Sequence, residues 1–365
     1  MQITFKIKLL PTKEQKNLID QTMFEYVKTV NDVVAKILSD PEYKPTSKTI
    51  KALLPSALRD QTRLDARSVA KKYKRALTIN TKKKEEDQKE IKVPILKKAI
   101  SVWNNQNYRI SDTTIAFPVM VEDKSKRIQV KAMIMRDTFE KLNTSKLGTL
   151  RITTINNKLM AQIAVEVVEK ETIGENSIGV DLGLKVPAVA VTKTGKTKFF
   201  GNGRENKYKR RKFRSKRKKL GKNKKLTAIK KLDDKEQRWM KDKDHKISRQ
   251  IVNFAILNDV SVIRLENLLN IRNTARTSRK NEKNLHTWSF YRLSRFVEYK
   301  AKLEGIRVLY VDPKYTSQIC PKCGMKNKAK DRQYKCACGF KTHRDRLGAI
   351  NIINAPVADG KSLSA

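Results

Sequence analysis

The sequence predicts a multi-domain chain of mixed α+β and α/β class. A strand-rich N-terminal module interrupted by a helical block comes first, and a second sheet-and-helix domain carrying a small cysteine-bearing insertion follows. Three observations support this. Period-two alternation of apolar residues occurs on both sides of a lysine-rich helical stretch, short strands and helices alternate after residue 172, and all four cysteines fall between Cys320 and Cys338. At 365 residues the chain has room for two or three domains.

The first element is a half-buried strand, because Ile3, Phe5, Ile7 and Leu9 alternate with Gln2, Thr4, Lys6 and Lys8. Pro11 and Thr12 end it, and Thr12 with Gln15 forms a capping-box pattern that starts a helix. Ile19, Met23, Tyr26, Val30, Val34 and Ile37 then lie on one helical face. From about Ser47 to Ile100 the pattern remains helical and rich in lysine, including Lys82 to Lys84. Between Val102 and Val168 the period returns to two, with strands expected at 128–134, 150–155 and 159–167, the last pair joined by a turn at Asn156 to Lys158. The economical arrangement is a β-barrel-like module whose first strand is the N-terminal one and whose helical block is inserted.

Past Thr172 three strands are expected, at 177–181, 188–191 and 197–200. A long basic helical region runs to about Leu257, followed by a strand ending at Glu266, a helix over 289–303, a strand at 307–312 and a last short helix. That order is the order of an RNase H-like fold. It gives meaning to Asp181 and Glu266, each at the end of a strand, and to Asp345, which opens the last helix. A lone aspartate at a strand end usually caps a turn. Three acids at matching edges instead form a set of hard oxygen ligands suited to two Mg2+ ions and phosphodiester hydrolysis. Only three histidines occur in the chain, so a histidine-centred nuclease is not expected.

The cysteines read Cys320-Pro-Lys-Cys323-Gly324, then Cys336-Ala-Cys338-Gly339. Two knuckles of this kind offer four thiolates to one structural Zn2+, with glycine supplying the tight turn. The second knuckle has a single intervening residue, which leaves open a ligand role for His343.

Lys and Arg number 82 against 37 Asp and Glu, a formal charge of +45, which calls for a polyanionic partner. No run approaches the length of a spanning helix and the first residues lack a signal-peptide core, so nucleic acid rather than membrane is the expected partner.

Four stretches carry a family resemblance: Ser177 to Leu184 (SIGVDLGL), Ile263 to Leu268 (IRLENL), Val311 to Gly324 (VDPKYTSQICPKCG) and Arg344 to Ile352 (RDRLGAINI). In order they resemble the three RuvC motifs and the zinc ribbon of TnpB, the transposon-encoded family ancestral to type V CRISPR effectors. Trp288 to Tyr291 and Tyr299 to Ile306 extend the resemblance over the second half of the chain. It implies a wedge β-barrel (1–14 and 102–172) with an inserted helical recognition lobe (15–101). It further implies a RuvC nuclease domain (173–312 and 341–357) and a zinc ribbon (313–340); the last residues (358–365) are expected to form a flexible tail. By the same likeness Asp181, Glu266 and Asp345 are the catalytic, Mg2+-holding triad, and Cys320, Cys323, Cys336 and Cys338 hold Zn2+. The expected partners are a guide RNA from the transposon end and matching double-stranded DNA beside a short adjacent motif. A monomer on one RNA, in the cytoplasm and on the nucleoid of a prokaryotic cell, is the expected state. The third motif departs from the family pattern Asp-Arg-Asp-x-Asn-Ala-Ala at His343 and Leu347, which puts its local shape in question.

Within this picture the run from Lys207 to Lys219 holds ten cationic residues: Lys207, Lys209, Arg210, Arg211, Lys212, Arg214, Lys216, Arg217, Lys218 and Lys219. At helical period their charge runs all round the rod, as expected for a helix that tracks a nucleic-acid backbone. A non-cleaving RNA-guided repressor, a miniature type V effector and a stand-alone RNase H-like nuclease remain alternatives. The repressor is expected to have lost an acid, and the stand-alone nuclease needs no bound RNA.

Overall fold

β1 (Gln2–Leu10) buries Ile7 and Leu9 and hands over to α1 (Lys13–Ser39) through the expected capping box. Gln15 N donates to Thr12 Oγ1 and Thr12 N to Gln15 Oε1, both at 3.2 Å. The computed structural model describes residues 1–171, 174, 176–232, 234–269, 271 and 285–358, and these fall into two units, Met1–Val168 and Glu169–Ala365. Of the expected flexible tail, all but residue 358 lies outside the described residues.

In the first unit α1 buries Ile19, Met23, Tyr26, Val30 and Val34, the stripe read from the sequence. It packs on α2 (Ser56–Thr81), and the Tyr26 hydroxyl donates to Asp65 at 2.7 Å across that interface. The helical reading of 47–100 is only partly realised. After α2 there is one short 3-10 turn (Glu85–Asp87), and no helix follows before β2 (Ile100–Trp103). Pro94 has no N–H to give a helix. The Asn31 amide instead holds Leu96 as a neighbouring strand would, accepting from its N–H at 2.9 Å and donating to its carbonyl at 3.0 Å.

The remaining strands are β3 (Arg109–Ile110), β4 (Thr114–Val121), β5 (Lys124–Met133), β6 (Lys146–Ile155) and β7 (Lys158–Glu166), with α3 (Arg136–Thr144) between β5 and β6. They form one sheet in the order β2-β6-β7-β1-β5-β4-β3. β1 is therefore internal, and the α1–α2 block is an excursion between β1 and the sheet's edge strand β2. The sheet curls into a half-barrel. Trp103 on β2 packs with its ring tilted against Phe117 on β4, centroids 4.8 Å apart, and donates its indole N–H to Pro118 O at 3.1 Å, although four strands separate β2 from β4 in the order. Asn156 and Asn157, with φ of 52° and 58°, make the two-residue turn between β6 and β7.

In the second unit β8 (Asn176–Leu182) is central in the order β10-β9-β8-β11-β12. β9 (Ala188–Thr192) and β10 (Thr197–Phe200) continue from it antiparallel, while β11 (Val260–Glu266) and β12 (Arg307–Val311) run parallel to it. The long basic region is three helices, α4 (Gly203–Lys222), α5 (Leu226–Leu232) and α6 (Lys235–Ile256). α6 covers the sheet with Ile247, Ile251 and Ala255 and packs on α7 (Phe290–Leu303). That helix pair carries a buried polar seam. Arg292 and Ser289 donate to Asp244, and Lys300 Nζ donates to His245 O and Ser248 Oγ, both at 2.6 Å. The hairpin β13 (Gln333–Lys335) and β14 (Lys341–His343) leads into α8 (Arg344–Asn354).

Candidate active site

The register of the central sheet sets two acids side by side. β8 and β11 are parallel with Val180 opposite Leu265, so one residue further Asp181 and Glu266 stand level on adjacent strands, about 4.8 Å apart in backbone. Asp345 comes from α8, which lies directly on β8. A Cβ on Gly179 would sit 2.0 Å from Ala349 O, and one on Gly348 would sit 3.2 Å from the Asp181 carboxyl carbon. Only glycine at 179 allows so close a crossing, and at 348 any side chain would press on the Asp181 carboxyl group. Arg264 on β11 secures the other end of α8, donating from Nε to Ile352 O at 3.2 Å and from its terminal nitrogen to Ala355 O.

The two departures in the third motif have structural roles. His343 is the N-cap of α8, its Nδ1 accepting from Asp345 N at 3.2 Å, which sets Asp345 in the first helical turn where the dipole favours a carboxylate. Leu347 is buried in the cysteine-bearing core with Cys320, Tyr334 and Cys336.

Burial, more than mutual repulsion, governs the charge state of Asp181 and Glu266. Burial, and then the charges of Glu266 and Asp345, push the Asp181 carboxyl well above the usual carboxylate range, against the pull of Arg344 and Arg332. Burial also raises Glu266, while the Thr316 hydroxyl, donating to its Oε1 at 2.5 Å, holds it down. Asp345 is 5% exposed; its Oδ1 accepts from the Arg332 guanidinium, and its buried Oδ2 has no hydrogen-bond partner among the described residues. Three carboxylates with one buried oxygen left open offer the hard oxygen donors that a divalent cation such as Mg2+ takes, although among the described residues only the four cysteines stand close enough together to form a ready ligand set. Thr316, Arg332, Arg264 and Asn351 escaped the sequence reading. Thr316 lay inside a quoted motif, but nothing in its spacing marked it as a partner of Glu266.

The four cysteines converge. Their sulfurs all lie within 4.8 Å of one another, with Cys320 and Cys338 at 3.6 Å and Cys323 and Cys336 at 3.5 Å. A tetrahedral zinc thiolate site needs sulfurs about 3.8 Å apart, so the donor set fits Zn2+. Asn327 donates to Cys336 Sγ at 3.3 Å, the kind of outer contact that steadies a metal thiolate. His343 is not part of this metal-capable group, its ring nitrogen being engaged at the helix cap.

The ten cationic residues of the basic run all lie on α4, but their charge does not surround the helix evenly. Arg217 pairs with Glu236, and Lys209 lies over the Trp239 ring at 5.6 Å. Arg210 lines a cavity of about 590 Å³ with Trp288, Tyr291 and Arg292, and none of the three acids borders that cavity. Lys207, Arg211, Lys212, Arg214, Lys216, Lys218 and Lys219 are exposed, as is Tyr208. No helix among the described residues is long and apolar enough to cross a membrane.

Two family models match parts of the chain. Residues 161–272 match a family model described as "Probable transposase", and residues 290–352 match one described as "Cas12f1-like, TNB domain". A Cas12f1 CRISPR-associated endodeoxyribonuclease of Sulfoacidibacillus thermotolerans is 35% identical over 136 residues, 36% of this chain and 31% of that protein. The chain thus matches about a third of that relative's length. The TnpB-like protein MJ0751 of Methanocaldococcus jannaschii is 29% identical over 263 residues, 70% of this chain and 81% of the relative. The protein chain of a cryo-EM Cas12f1–sgRNA–target DNA complex superposes with a TM-score of 0.64 at 15% identity, covering 96% of this chain and 98% of that one. The chain therefore shares its fold with the Cas12f1 chain of that complex. In sequence the chain is similar to TnpB-like proteins and to Cas12f1 endodeoxyribonucleases.

Proposed function

We propose that the chain is an RNA-guided DNA endonuclease, taking its guide from RNA of the transposon end and cutting matched double-stranded DNA beside a short adjacent motif. The observation that carries this reading is the convergence of Asp181, Glu266 and Asp345 from β8, β11 and α8, with one buried carboxylate oxygen left open. Support comes from relatives named as Cas12f1 endodeoxyribonucleases and TnpB-like proteins, and from a fold shared with a chain bound to sgRNA and target DNA.

In this reading Asp181, Glu266 and Asp345 hold two Mg2+ ions and the four cysteines hold one structural Zn2+. Bound magnesium supplies an activated water and stabilisation of the leaving 3′ oxygen. The chain's own residues prepare the site. Thr316 orients Glu266, Arg332 balances the charge of buried Asp345, and Arg264 fixes the helix that presents Asp345. The exposed cations of α4 contact phosphates of the guide or heteroduplex, while base pairing and not the protein reads sequence. The +45 charge is then matched by one bound RNA per monomer, on the nucleoid of a prokaryotic cytoplasm.

The test is reconstitution with RNA expressed from the native genomic flank, followed by a matched-plasmid cleavage assay and a binding assay in parallel. Asp181→Ala is expected to abolish Mg2+-dependent cutting and leave guide-dependent DNA binding intact. Cutting by the purified variant would overturn the catalytic assignment. Equal cutting by wild-type protein stripped of RNA would favour a stand-alone nuclease instead.

A further inference from the structure

The cysteine-bearing segment reaches into the acid cluster at two points. Thr316 lies four residues before Cys320, and Arg332 lies four residues before Cys336. Each grips a different acid. The buried Thr316 donates to Glu266 Oε1, and its carbonyl accepts from Asn351 Nδ2 at 2.6 Å. The same Asn351 nitrogen donates to Ile319 O, next to Cys320, at 2.8 Å. Arg332 donates to Asp345 Oδ1, and its backbone carbonyl accepts from Arg344 N at 2.8 Å. Both grips therefore come from the cysteine-bearing segment, Thr316 at its entry, tied with Ile319 to Asn351, and Arg332 between its two cysteine pairs.

The two contacts differ in kind. A hydroxyl offers a neutral donor, which orients the Glu266 carboxylate and leaves its other oxygen to a cation. A guanidinium brings a full positive charge against a carboxylate that is 5% exposed, and it repels any divalent ion arriving at the open Oδ2.

We propose that the cysteine segment sets the cation affinity of the acid site through these two residues with opposite sign. Thr316 is a positioning residue that holds Glu266 ready for metal, and Arg332 is a resident counter-cation that metal must displace from Asp345. This rests on the reading of Asp181, Glu266 and Asp345 as a divalent-metal site.

Mn2+ titration of the zinc-loaded, full-length protein in magnesium-free buffer, followed by electron paramagnetic resonance of the free ion, tests it without any cleavage assay. Thr316→Val should weaken Mn2+ binding about tenfold, the size of an outer-contact effect on a metal ligand, and Thr316→Ser should restore it. Arg332→Met, which keeps the apolar stem, should tighten binding about tenfold, the scale on which a contacting cation shifts a carboxylate, whereas Arg332→Lys should stay near wild type. Zinc content is measured on every sample, so that each change is read with the cysteine site filled. Unchanged affinity in Thr316→Val, or unchanged or weaker affinity in Arg332→Met, overturns the proposal. Asp181→Asn separates it from its foundation: Mn2+ binding as strong as wild type in that variant means that the acids are not the metal site at all.

Discussion

At the scale of single residues, the acid site is a local cost that the fold carries. Asp181 has a raised carboxyl because it is buried beside two other carboxylates. The folded chain therefore holds that proton more tightly than the unfolded chain, so between the unfolded and folded values stability falls as pH rises. Above the folded value the penalty is complete, and it is relieved as pH drops toward the ordinary aspartate range. In magnesium-free buffer at pH 8, Asp181→Asn is accordingly expected to raise the urea midpoint above wild type, and the gap should narrow as pH is lowered. Chemical denaturation across a pH series checks this, and a variant less stable than wild type at pH 8 would refute the buried-carboxylate account.

At the scale of elements, α8 is the part whose placement matters most, and glycine permits it. Gly179→Ala would put a methyl group 2.0 Å from the backbone oxygen of Ala349, which no rotamer can relieve. The expected result is a loss of about 3 kcal/mol or more in folding free energy, with weakened Mn2+ binding because Asp345 moves with its helix. Urea denaturation and the same metal titration read both.

The elements were also where the sequence was most legible. The stripe of α1, the capping box at Thr12, and strands β8 and β11 were readable because period and end signals agree there. The helical reading after Thr81 went too far, because lysine-rich sequence without periodic apolar residues resembles a solvated helix and an extended run alike; a side chain, Asn31, decides the matter from 65 residues away. The acids and cysteines were marked by their chemistry. Thr316, Arg332, Arg264 and Asn351 were not, since their partners are distant in sequence and common polar residues carry no signal until the fold joins them.

At the scale of the whole molecule, +45 over 365 residues sets how the protein meets its partners. α4 concentrates part of that charge: Lys209, Arg210 and Arg217 are half-buried, and the seven others are exposed. Substituting Lys216, Lys218 and Lys219 with glutamine is expected to weaken RNA binding at every sequence tested. It should also flatten the log–log salt dependence by about two, since each lost phosphate contact removes somewhat under one unit of slope. Binding isotherms at several salt concentrations measure it, and an unchanged slope would mean that α4 does not touch the RNA.

The internal position of β1 has a consequence for how the chain is made. Its partners are β7 on one side and β5 on the other, both encoded more than a hundred residues downstream. On a ribosome adding roughly 5–20 residues per second, β1 emerges on the order of ten seconds before either neighbour exists. During that wait its apolar face and both hydrogen-bonding edges are bare, while α1 and α2 can already pair as a local hairpin. The helical excursion is thus the first part of the unit able to fold, and the alternating lysines of β1, Lys6 and Lys8, are the residues that keep the waiting strand from finding a wrong partner.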